Sequence, residues 1–517
     1  MEKSKNKKPT QGEYILVALR HHFLNGDSYI MADELYGICK EERKSLAHQA
    51  FERDYAFLMR EGKLHREGRR LYLTGTWAQE EDAAKRLAEL LANNNLAAPP
   101  IPEELTVNGL TLLPEQHDAV GMALSHRLST ILGGAGCGKT TLIRAIAQYG
   151  RKGVLVCAPT GKAAQNLRER TGLAARTVHS ALGMGYQDDD APLPPVRWPY
   201  VQTIIIDEAS MLSLCLLDGV LRKVPDTCSI VLVGDPKQLL SVGSGNILPD
   251  LLELGIPSIC LQTNHRQAEG ATGLQHNVVE FNHIEGLDQL AVDDSFVLKS
   301  VEDAHQAVVS VAKQAVQMLG EGQSFQVLAS RNATVDVLNR IIQRAWNPAH
   351  EGVQTITYKG KTFRHGDKVI ITKNDSRRRC WNGDIGTLII KKGDEMTKVP
   401  AEYQYAVMLP DGRCPKWFGA GSLEHLELAY AITVHKAQGS EFDFILMPLT
   451  MDADRMLHRN LLYTAASRAR RRVTICGSPN AVDVALHSLP PRRRSMLVTK
   501  TRMRMMLPQM GGLHAAV

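Results

Sequence analysis

Apolar residues recur at helical spacing at Ile15, Leu16, Leu19 and Phe23, and again at Leu46, Ala50, Tyr55, Phe57 and Leu58. Leu64 and the run Leu71, Tyr72, Leu73 then flank a turn containing Glu67 and Gly68, which predicts a hairpin. Helices followed by a short ribbon predict a winged-helix-like module, placed within residues 1–95. Residues 77–91 read as a charged amphipathic helix, and the Pro-rich stretch 96–104 reads as a linker. From 105 to 260 the pattern changes. Continuous apolar runs (STILGG, GVLVCAP, QTIIIDEAS, CSIVLVGD) alternate with helical periodicity, as in a parallel sheet covered on both faces. A second α/β unit is expected over 261–349 and 428–487, with strands FQVLAS, FILMPLT and RVTICG. Between its halves, 350–427 holds short strands (TITY, DKVIIT, IGTLII, YAVML) and the turn Pro410-Asp411-Gly412, which predict a small β-barrel insert.

Composition narrows the class. Hydrophobic residues make up 44% of the 517 and charged residues 22%, as in soluble globular proteins. No apolar run reaches the ~18 residues that suggest a transmembrane helix. The early apolar stretch is broken by Arg20, His21 and His22, so it is no signal-peptide core. A cytoplasmic location without membrane contact is expected. None of the nine cysteines forms a C-x-x-C pair, so no zinc site or disulfide framework is indicated. The net charge of +6 is uneven. Residues 488–517 carry Arg492, Arg493, Arg494, Lys500, Arg502 and Arg504 and no acid. That tail reads as a flexible or partner-docked extension adding salt-sensitive DNA affinity. Its removal should leave ATP chemistry intact.

Gly133, Gly134, Ala135, Gly136, Cys137, Gly138, Lys139 and Thr140 fit G-x-x-x-x-G-K-[ST] between a strand and a helix. Such a loop turns backbone N–H groups toward phosphates at a helix N-terminus. Lys139 is expected on the β/γ-phosphates, Thr140 on Mg²⁺, and Thr141 beside them. Sixty-eight positions after Lys139, the strand QTIII delivers Asp207 toward the same Mg²⁺. Glu208 then stands where it can orient water. ATP and Mg²⁺ are the implied cofactors.

The chain resembles the RecD-like branch of superfamily 1 helicases over residues 112–477. The resemblance rests on LLPEQHDAV, APTGKAAQNLRERTG with ARTVHSALG, DEAS, VGDPKQLLSVGSGNIL, LQTNHRQAEG, AITVHKAQGSEFD and LLYTAASRARRRV, in that order. It implies two RecA-like motor domains, an SH3-like insert, and ATP-dependent movement on single-stranded DNA, 5′ to 3′. It also implies an adenine contact at Gln116, a γ-phosphate sensor at Gln238, arginine fingers at Arg266 and Arg468, and a nucleotide contact at Gly439. DNA contacts are implied at Thr160, Gly161, Lys162, His179, Thr433, His435 and Lys436.

Aromatic residues are scarce, so Trp381 and Trp417 in the insert stand out as stacking platforms or as barrel core. Arg377, Arg378 and Arg379 could grip phosphates there. In the N-terminal module, Arg60, Lys63, Arg66, Arg69 and Arg70 read equally well as DNA contacts or as the solvated face of a protein-docking module. Three functions stay open: a helicase acting on single strands and duplex junctions, in recombination, repair or phage defence; an ATPase subunit that needs partners; and a nucleotide-switched sensor of DNA ends. The segment 185–199 stands where the family places a strand-separating pin. Deleting 187–196 is expected to abolish unwinding while sparing DNA-stimulated ATP turnover; assays on forked DNA check this, and unchanged unwinding would refute it.

Overall fold

The computed structural model describes residues 11–184, 198, 200–262, 271–281, 283–284, 286–375, 378–391, 404–418 and 420–511. The proposed pin and Arg266 lie outside these residues, as does Arg377.

The first motor is a six-stranded, all-parallel sheet in the order Ser258–Leu261, Leu128–Gly133, Ser229–Gly234, Thr203–Ile206, Val154–Ala158 and Ala175–Thr177. Its central strands are buried throughout, which is why they read as unbroken apolar runs. The short edge strands Ala175–Thr177 and Ser258–Leu261 escape that pattern because edge strands carry polar and exposed residues. The second motor is a five-stranded parallel sheet, ordered Phe296–Ser300, Ala469–Gly477, Phe442–Leu449, Phe325–Ala329 and Ala431–Thr433. Again the outer strands, Phe296–Ser300 and Ala431–Thr433, lack a sequence signature.

The insert is a five-stranded antiparallel sheet, Lys416–Phe418, Gln404–Met408, Ile385–Lys391, Lys368–Ile371 and Leu426–Leu428, beside the hairpin Thr355–Tyr358/Lys361–Arg364. Its position on the second motor is fixed by one buried carboxylate. Asp367 accepts from Gln343 Nε2 (2.6 Å), Asn347 Nδ2 (2.8 Å), Arg364 N (2.7 Å) and Tyr430 Oη (2.9 Å). A buried carboxylate so completely hydrogen-bonded specifies geometry as well as contributing stability.

The N-terminal module has helices Glu13–Phe23, Leu35–Glu42 and His48–Arg60 and a three-stranded antiparallel sheet of Ile30–Met31, Arg70–Leu73 and Leu64–Glu67. This is the winged-helix arrangement of helices and ribbon. Two of its expected DNA-binding arginines pair internally, Arg69 with Asp33 and Arg70 with Glu67. The next helix, Thr74–Ala92, starts on the module, where the Trp77 ring stacks on His65 at 3.8 Å, and continues onto the first motor. Its Ala83, Ala84, Leu87 and Leu90 join the first motor's core, so packing divides the chain near residue 73 although the Pro-rich stretch lies later.

The basic tail corrects the sequence reading most. It is neither free nor bare of partners. Helix Leu497–Gly511 lies along Thr74–Ala92. Arg494 pairs with Glu34, Arg502 with Glu253 and Arg504 with Glu81. Lys500 enters a carboxylate cage, 2.8 Å from Glu81, 3.4 Å from Glu80 and 3.8 Å from Glu67, beneath the rings of Tyr72 and Trp77. The net charge was legible in the sequence; that acids 400 positions away neutralise it was not.

Glu80 is fully buried, and burial raises its carboxyl against the lowering effect of Lys500. Without Lys500 an ionised Glu80 has no cation beside it, and the cost is fully present only above its raised folded-state range. It vanishes as pH falls and the carboxyl is protonated in both folded and unfolded chains. Lys500→Met is therefore expected to cost about 3 kcal/mol near neutral pH, and less as the pH is lowered. Denaturant unfolding across pH checks this; a loss independent of pH would contradict it.

Candidate nucleotide and nucleic-acid site

The functional groups sit at the carboxyl ends of the parallel strands, where an open α/β sheet leaves a crevice. Strand Leu128–Gly133 runs into the loop before helix Lys139–Tyr149. Gly136 and Gly138 adopt φ of 85° and 84°, a left-handed backbone that side chains disfavour. Lys139 Nζ folds back onto the carbonyls of Gly133 and Gly134, 2.6 Å from each. Strand Thr203–Ile206 delivers Asp207. Glu208 follows at φ 53°, a strained conformation for a non-glycine residue, and its amide donates to Asp207 Oδ1 at 2.9 Å. Burial, and next the neighbouring Glu208 charge, push Asp207 up to about 7, with Lys139 opposing. Such a carboxylate gains from a cation beside it.

These groups enclose a cavity of about 350 Å³ lined by Ala135, Cys137, Thr140, Asp207, Gln238 and Arg468, among others. Gln238 comes from the loop after strand Ser229–Gly234 and is 2% exposed. Arg468 comes from the second motor, just beyond helix Arg459–Ala466, and is 5% exposed. Gln238 Oε1 and Arg468 Nε are buried without a hydrogen-bond partner. Unmatched polar atoms of opposite character in one cavity are what a polar ligand would satisfy.

Five expected nucleotide contacts are not lining groups of this cavity: Gly133 and Gly134, whose carbonyls accept from Lys139, and Gln116, Thr141 and Gly439. Gln116 is buried and uses Oε1 to accept from Leu113 N at 3.1 Å, capping its own helix. Thr141 sits one residue along the helix, turned out of the lining. Gly439 lies against helix Gly161–Thr171, where a Cβ would come 3.2 Å from Ala163 Cβ, and its carbonyl accepts from Asn166 Nδ2. It is a contact between motors. Conversely, Arg170 and Glu441 do line the cavity, as a 2.8 Å ion pair that crosses from one motor to the other, with Arg470 also on Glu441. Nothing in the sequence marks Arg170, and only the fold brings it to Glu441.

The expected DNA contacts divide likewise. Thr160 caps helix Gly161–Thr171 by accepting from Ala163 N. A Cβ on Gly161 would stand 2.8 Å from Trp381 Cβ, so the insert rests directly on this helix. Lys162 lies 3.6 Å from the buried Asp384 of the insert, and the Arg168 guanidinium covers the Trp381 ring at 5.1 Å. Trp381 is thus neither barrel core nor open platform but part of the contact between insert and first motor. Helix Val178–Leu182 carries His179 half-exposed. Thr433 is buried and accepts from Lys436 N. Burial, then Arg493 and His458, hold His435 down to about 4, so it is a neutral hydrogen-bonding group and not a cationic phosphate grip. Lys436 is exposed and paired with Glu427; Arg378 pairs with Asp375.

Comparison with known proteins bears on the family. Residues 111–297 match the AAA domain family, 338–400 match the ATP-dependent RecD-like DNA helicase SH3 domain, and 428–476 match the UvrD-like helicase C-terminal domain. The ATP-dependent RecD2 DNA helicase of Deinococcus radiodurans is 34% identical over 445 residues, covering 81% of this chain and 57% of that protein. The RecBCD enzyme subunit RecD of Mycolicibacterium smegmatis is 29% identical over 474 residues, covering 80% of this chain and 79% of the subunit. The chain is thus similar to RecD-like helicases over most of its length. A solved Pif1 helicase from Bacteroides in complex with ADP-AlF3 and single-stranded DNA is 18% identical, with a TM-score of 0.46 over 71% of this chain and 92% of that one.

In this RecD-like chain, the second motor contributes to the nucleotide cavity chiefly through Arg468 and Glu441. If the cavity holds a nucleotide, the buried Arg468 guanidinium would stand where charge develops during phosphoryl transfer. Arg468→Ala is expected to lower kcat for ATP turnover about 10³-fold while nucleotide binding persists. Turnover and fluorescent-nucleotide binding measure the two; an unchanged kcat would exclude Arg468 from that role.

Proposed function

We propose that this chain is an ATP-dependent DNA helicase that translocates on single-stranded DNA, in the 5′-to-3′ direction, with duplex junctions as its substrates. The observation that carries the reading is the cavity built across the two motors, with phosphate loop, Asp207 and Gln238 on one wall and Arg468 on the other. The chain spans 57% of the length of its Deinococcus relative, so the activity is argued from this chain's own site.

The loop amides and Lys139 would bind the triphosphate; Lys139 would exchange its two carbonyl partners for phosphate oxygens. Thr140 and Asp207 would hold Mg²⁺, which supplies positive charge beside the transferring phosphoryl group. Glu208 would orient water. Gln238 would turn Nε2, now donating to Asp235 Oδ2 at 3.3 Å, to the γ-phosphate, and its unpartnered Oε1 would accept from the attacking water. Arg468 reaches that phosphate only while the motors are closed, so loss of the phosphate removes a contact that favours closure. Repeated closing and opening moves a strand bound across both motors. Lys162 and His179 of the first motor, and Lys436 of the second, would line that strand's path.

A second reading, an ATPase subunit that works only in a larger assembly, draws support from the RecD relatives, which are themselves named as subunits of the RecBCD enzyme. Forks with a 5′ or a 3′ tail separate the readings. Strand release from the 5′-tailed fork alone, with ATP turnover rising on single-stranded DNA and lost in Lys139→Ala, is the expected outcome. DNA-stimulated turnover without strand release would favour the subunit. Turnover surviving in Lys139→Ala would remove the phosphate-site assignment.

A further inference from the structure

Arg493 of the tail is half-buried and reaches the loop that follows Gln238. Its Nη1 donates to Ser241 Oγ (3.1 Å), Gly243 O (3.4 Å) and Gly245 O (2.8 Å), and its Nη2 to Ser241 O (2.5 Å). The N-terminal module closes the other side. Gly26 O accepts from Gly245 N at 2.8 Å, and a Cβ on Gly26 would lie 2.1 Å from Arg493 Nε. The next tail residues fasten the same junction: Arg494 N donates to Asp27 Oδ1 (2.7 Å) and Ser495 Oγ to Asp250 Oδ2 (2.9 Å).

The clamped loop is continuous with the contact between motors. Leu239 N donates to Thr464 Oγ1 at 2.9 Å, and Leu239 O accepts from Gln438 Nε2 at 2.8 Å. Asn460 Nδ2 donates to Gln238 O at 3.1 Å. Two residues later Arg493 takes hold. Gly243 and Gly245 have φ of 107° and 104°, so the loop backbone is intrinsically free and its carbonyls need outside donors. The planar five-donor fork of an arginine fixes several carbonyls in a rigid, divergent geometry that a lysine ammonium reproduces only in part.

We infer that Arg493 is a positioning residue of the ATP site: by pinning Ser241–Gly245 between the tail and the N-terminal module, it holds Gln238 in register with the phosphate loop and Arg468. This rests on the ATPase reading above. It reverses the expectation that the tail can be removed without touching ATP chemistry.

The test uses the full chain and reads kcat and KM for ATP at saturating single-stranded DNA, beside thermal unfolding. Arg493→Ala is expected to lower kcat by about 10- to 100-fold, the scale of a displaced catalytic group, with KM little changed. Arg493→Lys should recover part of the loss. Arg494→Ala, which breaks a link between tail and module without touching the loop, should keep the wild-type kcat. Wild-type kcat in folded Arg493→Ala would overturn the inference. So would equal losses in Arg493→Ala and Arg494→Ala that follow the folded fraction. If Arg493→Ala does not fold, Arg493→Gln, which keeps the stem and one donor, is read by the same criteria. Absence of ATP turnover in the wild-type chain would overturn the ATPase reading, and this inference with it.

Discussion

The polar backbone of residues 235–245 leaves the first motor's sheet and has no strand to pair with. Buried amides and carbonyls must be satisfied somewhere, and here the partners come from the rest of the molecule. Thr464, Gln438 and Asn460 of the second motor take Leu239 and the Gln238 carbonyl. Tyr463 Oη donates to Asp235 Oδ2 at 2.5 Å. Arg493 takes the Ser241, Gly243 and Gly245 carbonyls and Gly26 O takes Gly245 N, while Leu214 N and Asp235 satisfy others within the first motor. Each bond is worth only about 1 kcal/mol net, but leaving several such groups unmatched would cost more. The relative placement of motors, module and tail therefore follows from one loop's need for donors and acceptors.

That arrangement explains how charge is used. The basic tail would be an electrostatic footprint if it were free. Instead its cations meet Glu34, Glu67, Glu80, Glu81 and Glu253. Exposed pairs such as Arg502–Glu253 contribute little. Lys500, nearly buried among carboxylates, is different: its removal strands charge inside the protein. The tail thus acts chiefly as an internal fastener.

The insert repeats the theme on the other side. Residues expected to touch DNA also hold the insert to the first motor, Lys162 through Asp384 and Trp381 through Arg168. A phosphate approaching Lys162 would compete with the carboxylate already there, and strand binding at that side chain would then be linked to the position of the insert. The ion pair of Arg170 with Glu441 likewise ties the cavity to the spacing of the motors.

Much of the fold was legible because its causes are local. The buried central strands read as apolar runs, the phosphate loop as glycines between strand and helix, and Asp207 as the end of a strand. Edge strands such as Phe296–Ser300 were not legible, since an edge needs no continuous apolar run. Gln116 and Gly439 show the opposite limit: a motif names a position, but its hydrogen bonds depend on what packs beside it. The sequence by itself determined which segments fold and where phosphate chemistry is encoded, because those depend on periodicity and on backbone freedom within a few residues. Only the tertiary structure decided which charges are spent inside the protein and which remain outside. Arg493 finds Ser241, and Lys500 finds Glu80, across hundreds of intervening residues, and no local pattern records such a meeting.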